Sequence, residues 1–210
     1  MTQRHRLLFG PLAAAIFFLG VVGLALMIPG YSQVHQTVSE IGQMGSPART
    51  PFMIMLFAVA LCILVFAWAV REVSVQAGHS PLAAYFMAFM AVSVVGVGIF
   101  AHPHPFHNYF GLSEVVAYQA PLVMALTWRG DARGKHLATV SWVVFVLMWI
   151  VIGLNLSTLD RQSALFAFEK PFYGLVQRSL FVVWFGWLIA VAVLLFSSSD
   201  KESVVLCPST

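Results

Sequence analysis

Three histidines and two prolines alternate in residues 99–111, which read IFAHPHPFHNYFG. The spacing His102-x-His104-x-x-His107 suits metal ligation, because alternate residues of an extended chain point the same way and proline favours extended backbone. A catalytic zinc site needs about three such ligands and an open position for water. His102, His104 and His107 are therefore candidate ligands of a divalent metal such as zinc. The alternative is that their imidazoles hydrogen-bond lipid headgroups and loop carbonyls.

A second polar group follows the first apolar run. Glu40 is a candidate general base acting on a metal-bound water, and Ser39 is a candidate nucleophile beside His35. Adjacent residues diverge on a helix, and the sequence has no Gly-x-Ser-x-Gly motif, so we do not expect a serine triad. The alternative for Glu40 is a helix cap, because Thr37 and Glu40 have capping-box spacing. A short interfacial helix here would place His35 and Ser39 on one face.

Glu114 and Arg178 carry charges near the ends of apolar runs. A charge at the centre of a membrane helix costs about 2.5–3.5 kcal/mol and less near the ends. The two residues either pair with each other and reach water, or line a polar pocket that Gln119 and Gln177 close. Asn155 either lines that pocket or bonds a neighbouring helix. The candidate binding residues are His35, Glu114, Gln177 and Arg178.

The composition is that of an integral membrane protein. Of the 210 residues, 60% are hydrophobic and only 9% are charged, whereas soluble domains carry about 25% charged residues. The net charge of +3 comes from cations scattered over short loops, so we expect no nucleic-acid partner. Two cysteines, one of them inside an apolar run, imply no disulfide framework.

Six apolar runs predict six transmembrane helices, since about 20 apolar residues cross a bilayer. The fourth run is shorter and contains Glu114. We therefore predict an all-α fold in one domain, residues 1–210, with a short interfacial helix after the first span. The runs cover residues 7–29, 51–70, 81–101, 112–128, 137–156 and 179–196.

The distribution of lysine and arginine predicts that both termini are cytoplasmic. Alternate loops and termini on one side carry Arg4, Arg6, Arg71, Arg129, Arg133, Lys135 and Lys201, and the other side carries Arg49, Arg161, Lys170 and Arg178. The outward face then receives residues 30–50, 102–111 and 157–173. The candidate catalytic, binding and metal-ligating residues all fall in or near these segments.

Three short motifs resemble a known family. They are Tyr31-Ser32 with Val38-Ser39-Glu40-Ile41-Gly42, then Gly98-Ile99-Phe100 before the Pro/His segment, and Gly174-Leu175-Val176-Gln177-Arg178. Together they resemble the domain of unknown function 998 family of six-helix prokaryotic membrane proteins. In that family the third helix often ends in Phe-Pro followed soon by an acid, whereas this chain has Phe100-Ala101-His102-Pro103 and no nearby aspartate. The resemblance implies a bacterial cell (inner) membrane location and no particular biochemical role.

Two functional hypotheses follow. The first is a membrane-embedded, metal-dependent hydrolase or transferase acting on lipid headgroups, which the clustered His, Glu, Ser and Arg side chains favour. The second is a non-enzymatic bundle that binds a lipid or apolar ligand, or packs as a subunit of a larger complex or a homo-oligomer. Haem binding is less favoured because no histidine sits well inside an apolar run. Transport is also less favoured, because no pair of broken helices is evident.

Overall fold

The computed structural model describes residues 1–130 and 134–205 of the chain. Within that part, six helical segments are long and apolar enough to cross a membrane, and no strand is present. The predicted all-α, six-helix membrane fold is therefore confirmed. Arg133, which entered the orientation argument, lies outside the described residues. Spans 1 to 6 are Gln3–Ala25, Arg49–Gln76, Leu82–Ile99, Pro105–Trp128, Lys135–Leu159 and Ala164–Phe196.

Ten α-helices build these spans and their connections within the described residues. Two short 3-10 turns, Leu156–Leu159 and Lys170–Phe172, flank the ninth helix. The helices are α1 (Gln3–Leu7), α2 (Phe9–Ala25), α3 (Val38–Ile41), α4 (Arg49–Gln76), α5 (Leu82–Ile99), α6 (Pro105–Ala117), α7 (Ala120–Trp128), α8 (Lys135–Asn155), α9 (Ala164–Glu169) and α10 (Tyr173–Val205).

Aromatic side chains hold the first, fifth and sixth spans together. The Phe17 ring of α2 lies 4.8 Å from the Phe181 and Phe185 rings of α10. The indole of Trp187, also in α10, is fully buried and donates a hydrogen bond of 3.0 Å to Ser141 of α8. Packing and interhelical hydrogen bonds of this kind stabilise helix association inside a bilayer, where lipid is as apolar as the protein interior.

The fourth span is broken into two helices that pack on different neighbours. Helix α6 packs mainly on α5, and α7 packs mainly on α8. The break lies at Tyr118 and Gln119, just before Pro121. Proline has no N–H to donate to the carbonyl four residues earlier, and its ring crowds that carbonyl. The divergence of α6 from α8 opens space within the bundle.

The fourth span also begins at Pro105 rather than at residue 112, so the histidine segment is largely helical. His104 is the N-cap of α6, and its side chain accepts a hydrogen bond of 3.1 Å from the Phe106 amide. Pro105 occupies the first helical position, where its missing N–H has no intrahelical partner to lose. His107 therefore lies inside α6, and His102 and His104 do not project from one extended strand as expected.

The short helix after the first span forms, but over fewer residues than expected. Thr37 and Glu40 form the predicted capping box around α3. Val38 and Ile41 of this helix are buried. His35 precedes the helix, so the expectation that it shares a helical face with Ser39 is wrong.

Candidate functional site

Three connections meet at one end of the bundle, which we call the loop end: residues 26–48, 100–104 and 156–172. The Met44 amide donates a hydrogen bond of 2.8 Å to the His102 carbonyl, which joins the first connection to the second. The His35 side chain bonds the Pro171 carbonyl through Nδ1, which joins the first connection to the third. These two contacts hold the three connections together at the loop end.

Arg178 ties the start of α10 to the first connection. Its guanidinium donates hydrogen bonds of 2.7 Å to the Gln36 carbonyl, 2.8 Å to the Gly174 carbonyl and 2.7 Å to the Tyr31 hydroxyl. The Tyr31 hydroxyl in turn donates a hydrogen bond of 2.7 Å to the Thr37 carbonyl. Arg178 thus bonds neutral oxygens, and the ion pair with Glu114 that the sequence left open does not form.

A close backbone approach positions this guanidinium. A Cβ atom on Gly174 would lie 2.4 Å from the Gln36 carbonyl oxygen and 2.7 Å from the Gln33 carbonyl oxygen. Real Cβ atoms do not approach backbone oxygens so closely, so a side chain at this position would push α10 away from the first connection. Glycine is therefore required here for contact rather than for backbone freedom.

Glu40 and Gln177 use their polar atoms to stabilise α3. Glu40 Oε1 accepts hydrogen bonds from the Thr37 amide at 3.2 Å and the Thr37 hydroxyl at 3.0 Å, and its Oε2 accepts one from Gln36 at 3.0 Å. Gln177 Oε1 accepts a hydrogen bond of 2.7 Å from the Val38 amide. The carboxylate of Glu40 thus acts as a helix cap, which is the second of the two roles that its sequence context suggested.

Burial raises the pKa of the Tyr31 phenol above its ordinary value, although the positive charge of Arg178 opposes the shift. The phenol consequently remains protonated at neutral pH. It can then donate to the Thr37 carbonyl and accept from Arg178 at the same time.

The histidines of the second connection contact backbone and aromatic groups. The buried His107 side chain donates a hydrogen bond of 2.8 Å to the carbonyl of Phe100, the C-cap residue of α5. The His104 ring packs 5.0 Å from the Phe100 ring, and the His102 ring lies 5.8 Å from the His107 ring. No three His, Cys, Asp or Glu side chains within residues 1–130 and 134–196 are grouped so as to hold a metal ion. Zinc ligation stays a prediction.

A cavity of about 450 Å³ lies between these elements at the loop end. Side chains from all six spans line it, and the space left where α6 diverges from α8 contributes to it. Its polar lining comprises Ser39, His107, Asn108, Glu114, Tyr118, Asn155, Thr158, Arg161, Tyr173 and Gln177. Its apolar walls include Phe17, Phe52, Leu56, Val94, Leu112, Val115, Leu180 and Phe181.

The cavity collects part of the predicted site and adds residues that the sequence did not indicate. Ser39, His107, Glu114 and Gln177 line it, whereas His35, Glu40, His102, His104 and Arg178 do not. Asn155 fills both of its suggested roles, because it lines the cavity and donates a hydrogen bond of 3.0 Å to the Val176 carbonyl. Gln119 lies outside the lining and bonds Trp149 instead, at 3.3 Å.

Arg161 and Tyr173 are the main lining residues that sequence reasoning missed. Arg161 belongs to an exposed connection, and an arginine in a loop has no local feature that indicates a binding role. Tyr173 begins α10, and a tyrosine near a membrane interface is ordinarily an anchor. Arg161 reaches the cavity through the fold of residues 156–172 at the loop end, and Tyr173 lines it from the first turn of α10.

Comparison with known proteins defines the family of the chain but no activity. No curated protein sequence and no solved structure matches it. The family model described as "Protein of unknown function (DUF998)" matches residues 11–194, which include all six spans at least in part. This multi-pass membrane protein therefore belongs to the DUF998 family of proteins of unknown function.

Proposed function

We propose that this protein binds a phosphate-bearing membrane lipid in the loop-end cavity, without chemical conversion of the lipid. The observation that carries the proposal is a single cavity of about 450 Å³ that combines apolar walls with an arginine and several neutral hydrogen-bonding groups. Small-molecule sites typically measure about 300–1,000 Å³ and have mainly apolar walls with a few placed polar groups. A lipid headgroup and the adjoining part of its chains match both properties.

Arg161 supplies the charge that a phosphate requires. Among the described residues, Arg6 pairs with Glu72 at 2.5 Å, and no carboxylate of these residues lies within 4.0 Å of the Arg161 guanidinium. The guanidinium of Arg161 is therefore not neutralised by a carboxylate of the described protein. Arginine binds phosphate oxygens through two parallel N–H groups, which makes it the preferred side chain for such contacts.

Native mass spectrometry of the detergent-purified protein, titrated with phosphatidylglycerol of defined chain length, tests this proposal. We expect saturable binding of one lipid, weakened about tenfold or more in Arg161→Gln because a charged hydrogen-bonded contact contributes about 1.5–3 kcal/mol. Lys170→Gln is the matched control, since Lys170 is an exposed cation at the same end that does not line the cavity. Equal lipid affinity in wild type and Arg161→Gln would contradict the proposal.

A lipid-headgroup hydrolase or transferase is the second candidate, because Ser39 and His107 line the same cavity. Its metal-dependent form rests on His102, His104 and His107 and predicts a stoichiometric metal ion in the purified protein. Incubation with phospholipid, followed by mass analysis of the lipid, distinguishes the two candidates. Appearance of a cleaved or transferred headgroup that is lost in Ser39→Ala or His107→Ala supports the enzyme, and unchanged lipid supports a binding protein.

We further propose that the protein resides in a bacterial inner membrane with both termini in the cytoplasm, so that the loop end faces outward. The distribution of lysine and arginine supports this orientation. The partners we expect are membrane lipids, together with another membrane protein or a second copy of the chain. Protease protection of tags on the two termini in inverted and right-side-out vesicles tests the orientation.

A further inference from the structure

We propose that Glu114 recognises an ammonium group, so that the ligand of the cavity carries both a phosphate and an amine, as in a phosphoethanolamine headgroup. This inference rests on the proposed lipid-binding function and adds the headgroup class. Glu114, an acidic residue, and Arg161, a basic one, line the same cavity. A headgroup with phosphate alone would satisfy only Arg161.

The Glu114 carboxylate has no cationic partner in the described protein. It belongs to α6 in the fourth span, and no Lys, Arg or His nitrogen of residues 1–130 or 134–196 lies within 4.0 Å of it. Its Oε2 accepts a hydrogen bond of 3.1 Å from the Tyr118 hydroxyl. Ionisable side chains within membrane spans are costly, pair with one another or with a ligand, and mark functional sites.

A small cavity and an unpaired indole N–H lie beside the same carboxylate. Glu114, Tyr118 and Trp184 line a further cavity of about 20 Å³. The Trp184 indole is 2% exposed, and its N–H has no hydrogen-bond partner in the structure. A cavity of this size has room for one water, which would accept from Trp184 and donate to Glu114.

These contacts organise Glu114 as an acceptor that still faces the larger cavity. A carboxylate has about four lone-pair sites; the Tyr118 hydroxyl uses one, and a water in the small cavity would use another. The two remaining sites can accept from two of the three N–H donors of an ammonium group. A zwitterionic headgroup then neutralises both charges of the cavity, because its phosphate contacts Arg161 and its ammonium contacts Glu114.

The test compares phosphatidylethanolamine with phosphatidylglycerol of identical chains, measured by native mass spectrometry of the full-length protein. We expect wild type to bind phosphatidylethanolamine about tenfold more tightly, which is the size of one charged hydrogen-bonded contact. Glu114→Gln should lose this preference and retain phosphatidylglycerol binding. Glu40→Gln is the matched control, since Glu40 is a loop-end carboxylate outside the cavity whose capping role glutamine preserves.

The outcomes separate this inference from the function on which it rests. Saturable phosphatidylglycerol binding with no preference for phosphatidylethanolamine in wild type overturns the Glu114 assignment and leaves the lipid-binding proposal standing. A preference that persists in Glu114→Gln has the same meaning. Wild type that binds neither lipid overturns both. The wild-type preference requires no variant, so a folding defect in Glu114→Gln does not prevent a decision.

Discussion

Replacing Arg178 by glutamine should destabilise the loop end more than the same replacement of any other exposed or half-buried lysine or arginine. Arg178 bonds three oxygens, and two of them, on Gln36 and Tyr31, belong to a different part of the chain. The third, on Gly174, lies in the same helix and adds little to the connection. Two hydrogen bonds from a charged group at about 1.5 kcal/mol each give about 3 kcal/mol.

Thermal unfolding in detergent measures this effect. The thiol of Cys62 is buried in the second span, so a thiol-reactive dye reports unfolding once the other cysteine, Cys207, is replaced by serine. A loss of about 3 kcal/mol corresponds to a decrease in Tm of about 6–12 °C for a chain of roughly this size. A lysine ammonium lacks the planar fork that bonds both the Gln36 carbonyl and the Tyr31 hydroxyl. The Tm of Arg178→Lys should therefore lie between those of wild type and Arg178→Gln.

The control for this experiment is Lys170→Gln, which removes an exposed cation from the same end of the bundle. Its Tm should stay close to that of wild type, because single exposed cations contribute little to stability. If Arg178→Gln also unfolds within about 2 °C of wild type, the bonds to Gln36 and Tyr31 do not hold the first connection to α10. The account of how the loop end is assembled would then be wrong.

Two further substitutions test the same assembly. Gly174→Ala should lower the Tm by several degrees, because its Cβ would lie 2.4 Å from the Gln36 carbonyl oxygen. Gly153→Ala is the control: its Cβ would meet no neighbouring part of the protein within 4 Å, so its Tm should stay unchanged or rise. Tyr31→Phe should cost about 1–2 kcal/mol at neutral pH. Burial raises the pKa of Tyr31 in the folded protein above the unfolded value of about 10. The extra stability of wild type over Tyr31→Phe should therefore be complete below pH 10 and shrink as the pH rises above it. Melting curves of both proteins from pH 7 to 11 measure this difference.

The six spans could be predicted because their apolar runs are long and interrupted by few charges. The short α3 could also be predicted, because the spacing of Thr37 and Glu40 is the local signal of the capping box that forms there. The start of the fourth span was placed too late because polar residues were interpreted as a loop. The pair His104-Pro105 is a helix-start signal, and it outweighs the polarity of the residues that follow.

The candidate site could be predicted only in part, because its geometry depends on tertiary contacts. Glu114 and Gln177 were found because polar groups in apolar runs are conspicuous, and both line the cavity. Arg178 was conspicuous for the same reason, but its bonds to carbonyl oxygens serve assembly instead. Arg161 was not distinguishable from any other loop cation until the third connection was placed over the bundle.

Photo-crosslinking with a lipid shows whether a phospholipid occupies the loop-end cavity. A phosphatidylethanolamine analogue with a diazirine near the glycerol is incorporated with the protein into nanodiscs, irradiated, and its attachment sites are mapped by peptide mass spectrometry. We expect crosslinks to cavity-lining residues such as Leu56, Val115 and Leu180, at a yield that Arg161→Gln reduces. Crosslinks confined to lipid-facing residues such as Val146 and Ile150 of α8, at equal yield in both proteins, would contradict it.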